Sequence, residues 1–451
     1  MGSDSRPQHP LWGKETEHAL ANFTVSGRPL PIAIVHALAE IKAEAATFHL
    51  LTAAPDDRAK LVAVRDAATR VASGEYDEQF LIDIFQTGSG TSTNMNVNEV
   101  VATLASQASG LAVHPNDDVN RSQSSNDTFP TAVAMAAAIA VQRSLLPAAA
   151  QLVASLEAAA ARFVGIVTAG RTHMMDAVPI LLSDEFDGYA AQIRESAERI
   201  QSVLVRLGGV PLGGTAVGNG LNTPVGFGEA VIAGLANRHG IPLSVAPNRF
   251  AAQAARDSLV EASSHVRGLC LAMMKVANDI RLKASGPTAG LGELRLPELQ
   301  AGSSIMPGKV NPVMCEMVTQ VAVQVFGNDT AIAFAGSQGQ FELNTFQPVM
   351  AANLLDSINL ASRACTLFAV QCVDGIEADA EQCRRYAEST PALATGLNEL
   401  LGYDRVAGIV KRTIAQRRTL MDVVVDDGIL DAATARELLD ADRVARGNRS
   451  E

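Results

Sequence analysis

The stretch Thr131–Val141 reads TAVAMAAAIAV, and it restricts the fold more than any other segment of the chain. A helix with this sequence is apolar nearly all round, so it must be covered on every side. The run is far too short to span a bilayer, so its cover must be protein. Long helical patterns along the chain can supply it. They run over about 33–74 with a break near Pro55, 131–167 interrupted by Pro147, 180–207, 249–284, 312–335 and 348–373. Pro130 stands where a helix could begin. β-branched alternation is weak throughout. The chain therefore reads as mostly α, with a central bundle of long helices. One chain's helices would struggle to enclose the apolar one, which predicts self-association through the bundle. The alternative is a central helix buried within a monomer. After about Ala380 the chain is more charged and reads as a small helical domain. The division expected is an N-terminal domain over 1–123, the bundle over 124–380 and a C-terminal domain over 381–451.

Composition narrows the function. The 451 residues are 47% apolar and 19% charged, as in ordinary soluble enzymes. Aromatics are only 4%, leaving few platforms for stacking bases or sugars, and the net charge of −12 argues against nucleic acid and anionic membranes. An anionic substrate stays possible, because surface charge is screened within about 8–10 Å. The five cysteines (Cys270, Cys315, Cys365, Cys372 and Cys383) show no CxxC or Cys/His spacing. They are read as reduced and structural, which suits the cytoplasm. Residues 1–10 are polar, so no secretory signal is expected.

The segment Gly302–Pro312 reads GSSIMPGKVNP. Its glycines and prolines make it a loop. Its two serines, one lysine and one asparagine can hold a carboxylate by charge and hydrogen bonds. A phosphate loop is excluded, because five residues separate Gly302 from Gly308 and Val310 follows Lys309. Four more polar loops interrupt the helices: Gly88–Asn94, His114–Asp127, Gly170–Asp176 and Gly213–Gly220. The first lacks the third glycine of a dinucleotide loop, although Phe80–Phe85 before it could pass for a strand. His114 with Asn116 and Asp117 could suggest a metal, but a lone His there is more often part of a capped turn. Together the loops offer hydroxyls, amides, two imidazoles and one lysine. They contain no metal-ligand set and no activated cysteine. That inventory suits proton transfer on a small polyanion.

These loops, in this order, resemble the fumarase/aspartase superfamily, most closely its class II fumarate hydratases. The resemblance runs from Leu11-Trp12-Gly13 to the C-terminal helices. It rests on GSSIMPGKVNP, TGSGTSTNMNVNEV, HPNDDVNRSQSSND, GRTHMMDA and GGTAVGNGLN. His173 in GRTH and Gly308 before the lysine favour a fumarase over an aspartase. The resemblance implies the L-aspartase-like fold and reversible hydration of fumarate to L-malate without metal or other cofactor. It also implies a homotetramer whose bundle pools helices and whose active sites draw on three subunits.

Residue by residue, it places Ser303 as the catalytic base, His173 as the acid/base group and Glu316 as the carboxylate that polarises it. Substrate contacts fall on Ser89, Gly90, Thr91, Ser124, Ser125, Asn126, Thr172, Ser304, Lys309, Val310 and Asn311. His114, Pro115, Asn116 and Asp117 match a second dicarboxylate site. Three departures from the family pattern stand out: Ser183-Asp184-Glu185 for GQE, Asn219 for Thr, and Glu15-Thr16-Glu17-His18 for QTQR. Two rival readings are an ammonia lyase on aspartate or a related amino acid, which His173 opposes, and a non-catalytic scaffold, which the intact Ser303, Lys309, His173 and Glu316 oppose.

Overall fold

A computed structural model describes residues 7–447. The chain is mostly helical, as the sequence implies. In order it runs α1 (Lys14–Asn22), α2 (Ile32–Leu50), α3 (Pro55–Ala72), α4 (Thr91–Ser109), α5 (Ser125–Ala140), α6 (Leu146–Arg162), a hairpin of β1 (Val167–Thr172) and β2 (Met175–Leu181), and α7 (Leu182–Leu207). Next come β3 (Gly209–Val210), α8 (Phe227–His239), β4 (Ser244–Val245), α9 (Arg249–Ala254), α10 (Asp257–Lys283) and β5 (Leu294–Arg295). α11 (Val313–Gly336), α12 (Gln347–Gln371) and β6 (Glu377–Ala378) follow, and then short helices between Ala380 and Arg446. β1 pairs antiparallel with β2, β3 parallel with β4, and β5 antiparallel with β6.

The residues fall into two compact units. Among the described residues one holds 7–147, 196–270 and 321–362; the other holds 148–195, 271–320 and 363–447. The core of the first is built on α2, where Ile34, Leu38 and Ile41 are fully buried among α3, α4, α5 and α8. The C-terminal helices of the second unit close over Leu397, Val423, Val424 and Ala435.

Three expectations need correction. First, the helix that carries the apolar run starts at Ser125, not Pro130. Ser124 accepts from the Asn126 N–H and forms a reciprocal capping box with Asp127, and this cap outcompetes the proline signal. Second, this helix continues through a π-turn at Val141–Leu145 into α6, so Ser125–Arg162 is long and apolar enough to cross a membrane. The π-turn has a local cause: Pro147 has no N–H for the carbonyl four residues before it. Of the helix's most apolar window, 61% is buried inside the chain, as befits a core helix. Third, Thr131–Ala138 is buried within the single chain, so the alternative of internal cover holds for this segment. Apolar exposure lies elsewhere on the long helices, at Val205, Leu271, Val323, Phe334 and Val370.

The five cysteines are free and buried. Phe80–Phe85 forms no strand beyond an isolated bridge from Asp83 to Pro29.

Candidate active site

In the first unit, three of the polar loops meet. The Gly88–Asn94 loop ends in the N-terminus of α4. A Cβ at Gly88 would stand 1.8 Å from the carbonyl oxygen of Thr345, and one at Gly90 would stand 2.2 Å from the ring of Phe129. Gly90 also has φ +74°. Only glycine fits at either place, and between them Ser89 is held with its hydroxyl 2.8 Å from that of Thr91. One turn into α4, Asn94 donates to the Ser125 hydroxyl at 3.1 Å, which joins the first loop to the second. Asn126 donates to the carbonyl of Ala216 at 2.9 Å, which joins the second to the Gly213–Gly220 turn.

Asp127 binds this cluster together. It is fully buried and accepts the backbone N–H groups of Ser124 at 2.9 Å, Gly213 at 3.1 Å and Thr215 at 2.8 Å. Burial pushes its carboxyl up to about 6, against the pull of those amides and of Lys42. Lys42 is fully buried too. Its ammonium donates to Asn120 at 2.9 Å and Gln123 at 3.0 Å, and burial brings it down to about 7, opposed by the Asp127 charge. Ser89, Gly90 and Ser125 are buried, whereas Thr91, Ser124 and Asn126 are half-buried. The cluster thus presents hydroxyls, an amide and two helix N-termini, the donors a carboxylate requires.

The His114 segment forms the capped turn. His114 Nδ1 accepts the N–H groups of Asn116 at 3.3 Å and Asp117 at 3.1 Å, at the start of a π-turn over Pro115–Val119. His114, Asn116 and Asp117 are exposed and Pro115 is half-buried. Among the described residues no group of three His, Cys, Asp or Glu side chains could hold a metal ion.

In the second unit, Gly170–Asp176 is not a plain loop but the end of the β1–β2 hairpin. His173 and Met174 form its two-residue tip, with φ 57° and 64°. Such a turn normally takes Asn-Gly, so two left-handed side chains at the tip carry backbone strain. Thr172 and His173 are exposed. Two residues before the tip Arg171 donates to Glu293 at 2.9 Å and 3.1 Å.

The Gly302–Pro312 loop closes on itself. The Gly302 N–H meets the Lys309 carbonyl at 3.0 Å, and Asn311 donates to the Gly302 carbonyl at 2.7 Å. Inside the loop the Ser303 hydroxyl accepts the backbone N–H groups of Ile305 at 3.2 Å and Met306 at 3.1 Å. Two amide donors on one hydroxyl oxygen favour its alkoxide, which is what a serine base requires. Ser304, Lys309 and Val310 are exposed, and Asn311 is half-buried. Glu316 is exposed in the first turn of α11. Among the described residues of the single chain, neither His173 nor Glu316 makes a side-chain hydrogen bond or ion pair, so one chain does not join them.

The departures resolve in part. Asn219 accepts the Leu221 N–H at 3.2 Å within its own turn. Glu185 keeps the family's acid, 2.9 Å from Lys283. Thr16 is buried and donates to Glu99 of α4 at 2.6 Å.

The helical architecture and these loops define a lyase. The "Lyase" family model matches residues 2–327 and that of the "Fumarase C C-terminus" matches residues 393–446. The class II fumarate hydratase of Corynebacterium efficiens is 49% identical to the chain over 97% of it and 92% of the relative. That of Mycobacterium tuberculosis is 48% identical, over 98% and 93%. The crystal structure of class II fumarase from Schistosoma mansoni superposes with a TM-score of 0.95 at 35% identity, covering 98% of this chain and 97% of that one. The chain belongs to the class II fumarate hydratase family.

Proposed function

We propose that this chain interconverts fumarate and L-malate as a homotetramer in the cytoplasm, with three chains contributing to each site. The observation that carries the reading is the Ser303 hydroxyl held by two amides in the loop that bears Lys309. In malate dehydration Ser303, as alkoxide, takes a proton from C3. The electron pair left behind moves into the adjacent carboxylate, giving an aci-carboxylate with two negative charges. Lys309 and loop amides meet that charge where it develops. The pair then returns to form the double bond and expels the C2 hydroxyl, which His173 protonates and releases as water. Glu316 stabilises the imidazolium.

The donor cluster of Ser89, Thr91, Ser124, Ser125 and Asn126 suits the substrate's carboxylates, with Thr172, Ser304 and Asn311 as further contacts. His173 and Glu316 are exposed and unjoined within one chain, which suits a pair completed between subunits. The apolar side chains exposed on the long helices suit a shared bundle.

The test follows the absorbance of the fumarate double bond with malate and with aspartate, without added metal and with chelator present. Malate should be dehydrated. Aspartate deamination faster than malate dehydration would overturn the reading in favour of an ammonia lyase.

A further inference from the structure

Among the described residues, His173 and Met174 at the tip of the β1–β2 hairpin make no side-chain hydrogen bond or ion pair, so the tip's direction is set by the strands that carry it. Those strands are irregular near the tip. Pairing slips between Ala169 and Arg171, and a Cβ at the intervening Gly170 would stand 2.6 Å from the Val178 carbonyl oxygen. The slip is a bulge, which re-aims side chains. Beside it lies Glu293, with a side chain that is 0% exposed. Arg171 grips it with two nitrogens, Thr168 donates its hydroxyl to it at 2.5 Å, and Lys283 stands at 3.4 Å. Glu293 is itself fixed through its backbone: its N–H meets the Lys283 carbonyl at 2.9 Å, and its carbonyl takes the Asp379 N–H at 2.9 Å. The ring of Tyr386 packs under the Arg171 guanidinium at 5.4 Å. With Glu185 on Lys283, two cations and two carboxylates balance.

We infer that Glu293 is a positioning residue for the proton transfer of His173, aiming the hairpin through Thr168 and Arg171, the latter two residues before it. It touches no substrate. The inference rests on His173 being the acid/base group.

Glu293→Gln alone would leave a surplus buried positive charge and could fail to fold. The test therefore uses the charge-balanced double variant Glu293→Gln/Lys283→Met, together with Arg171→Lys, which keeps the charge but loses the two-pronged grip. Each should fold, with kcat lowered roughly 10²-fold, the scale of a misplacement of about 1 Å, and KM moved less than about 3-fold. In a His173→Asn background the same changes should cost nothing more, since there is no imidazole left to aim. Wild-type kcat in the folded double variant, failure of both variants to fold, or an undiminished loss in the His173→Asn background would overturn the inference, leaving Glu293 a residue of stability only. If His173→Asn alone keeps wild-type kcat, it is the acid/base reading that fails.

Discussion

Asp127 accepts the backbone N–H of Thr215 at 2.8 Å, and through that bond the N-terminus of α5 and the Gly213–Gly220 turn become one body. The carboxylate that does this is fully buried, and the cation that offsets it, Lys42, sits on a different helix. Local helix capping and long-range loop placement thus depend on the same side chain.

This pair makes stability depend on pH. The folded chain holds Lys42 at about 7, below the ordinary 10.5, so the unfolded chain binds the extra proton between those values. Stability from Lys42 is therefore present above about 10 and lost as pH falls through about 7. Asp127 is raised to about 6, so its contribution is present below about 4 and lost as pH rises through about 6. Lys42→Met should remove the first dependence. The thermal midpoint of the wild type, relative to the variant, should climb between about pH 7 and pH 10. A constant difference across that range would show that Lys42 is not buried as described.

Gly90 is predicted to be irreplaceable. Alanine there would meet left-handed backbone, which costs about 1–2 kcal/mol, and its methyl would meet the Phe129 ring, adding about 1–3 kcal/mol of overpacking. Gly90→Ala should lower the thermal midpoint and raise KM for malate, because Ser89 and Thr91 flank the displaced backbone. An unchanged KM would separate this loop from the substrate.

Much of this was legible in the sequence, for physical reasons. The long helices follow from sustained periodicity, and the break at Pro55 from a residue that cannot continue a helix. The hairpin under His173 was missed because Gly170 and Pro179 interrupt its strands and its turn lacks the Asn-Gly signal. The start of α5 was misplaced because Pro130 was weighed as an N-terminal signal, whereas the Ser124-x-x-Asp127 cap decided it. Lys42 and Glu293 were missed because a lone charge in a sequence reads as solvated. Only the fold shows it buried against a partner far along the chain. The joining of His173 to Glu316 is absent from both the sequence and the single chain.

Assembly is tested at Phe334, which is 69% exposed on α11. An aromatic side chain that open to water on a long bundle helix fits an interface. Light scattering should give about four times the 47.2 kDa chain mass for the wild type, and Phe334→Lys should reduce it together with activity. A stable, fully active monomer would remove the shared site.

Ser303 and Lys309 lie six residues apart in one loop, but the chemistry gives them different work. The Ser303 hydroxyl has no charge to offer the substrate, so it is expected to act in proton transfer at C3. In the proposed reaction Lys309 would meet a carboxylate in the ground state and a more highly charged aci-carboxylate in the transition state, so it is expected to act in binding and in catalysis. Ser303→Ala should lower turnover by roughly 10²–10⁴-fold, the usual worth of general acid–base catalysis, and leave binding of a carbanion-mimicking nitronate partly intact. Lys309→Met should weaken the nitronate more than malate, because the nitronate carries the extra charge. Dissociation constants for both ligands in both variants decide the matter. Wild-type turnover in Ser303→Ala, or equal weakening of the two ligands in Lys309→Met, would end this division of roles.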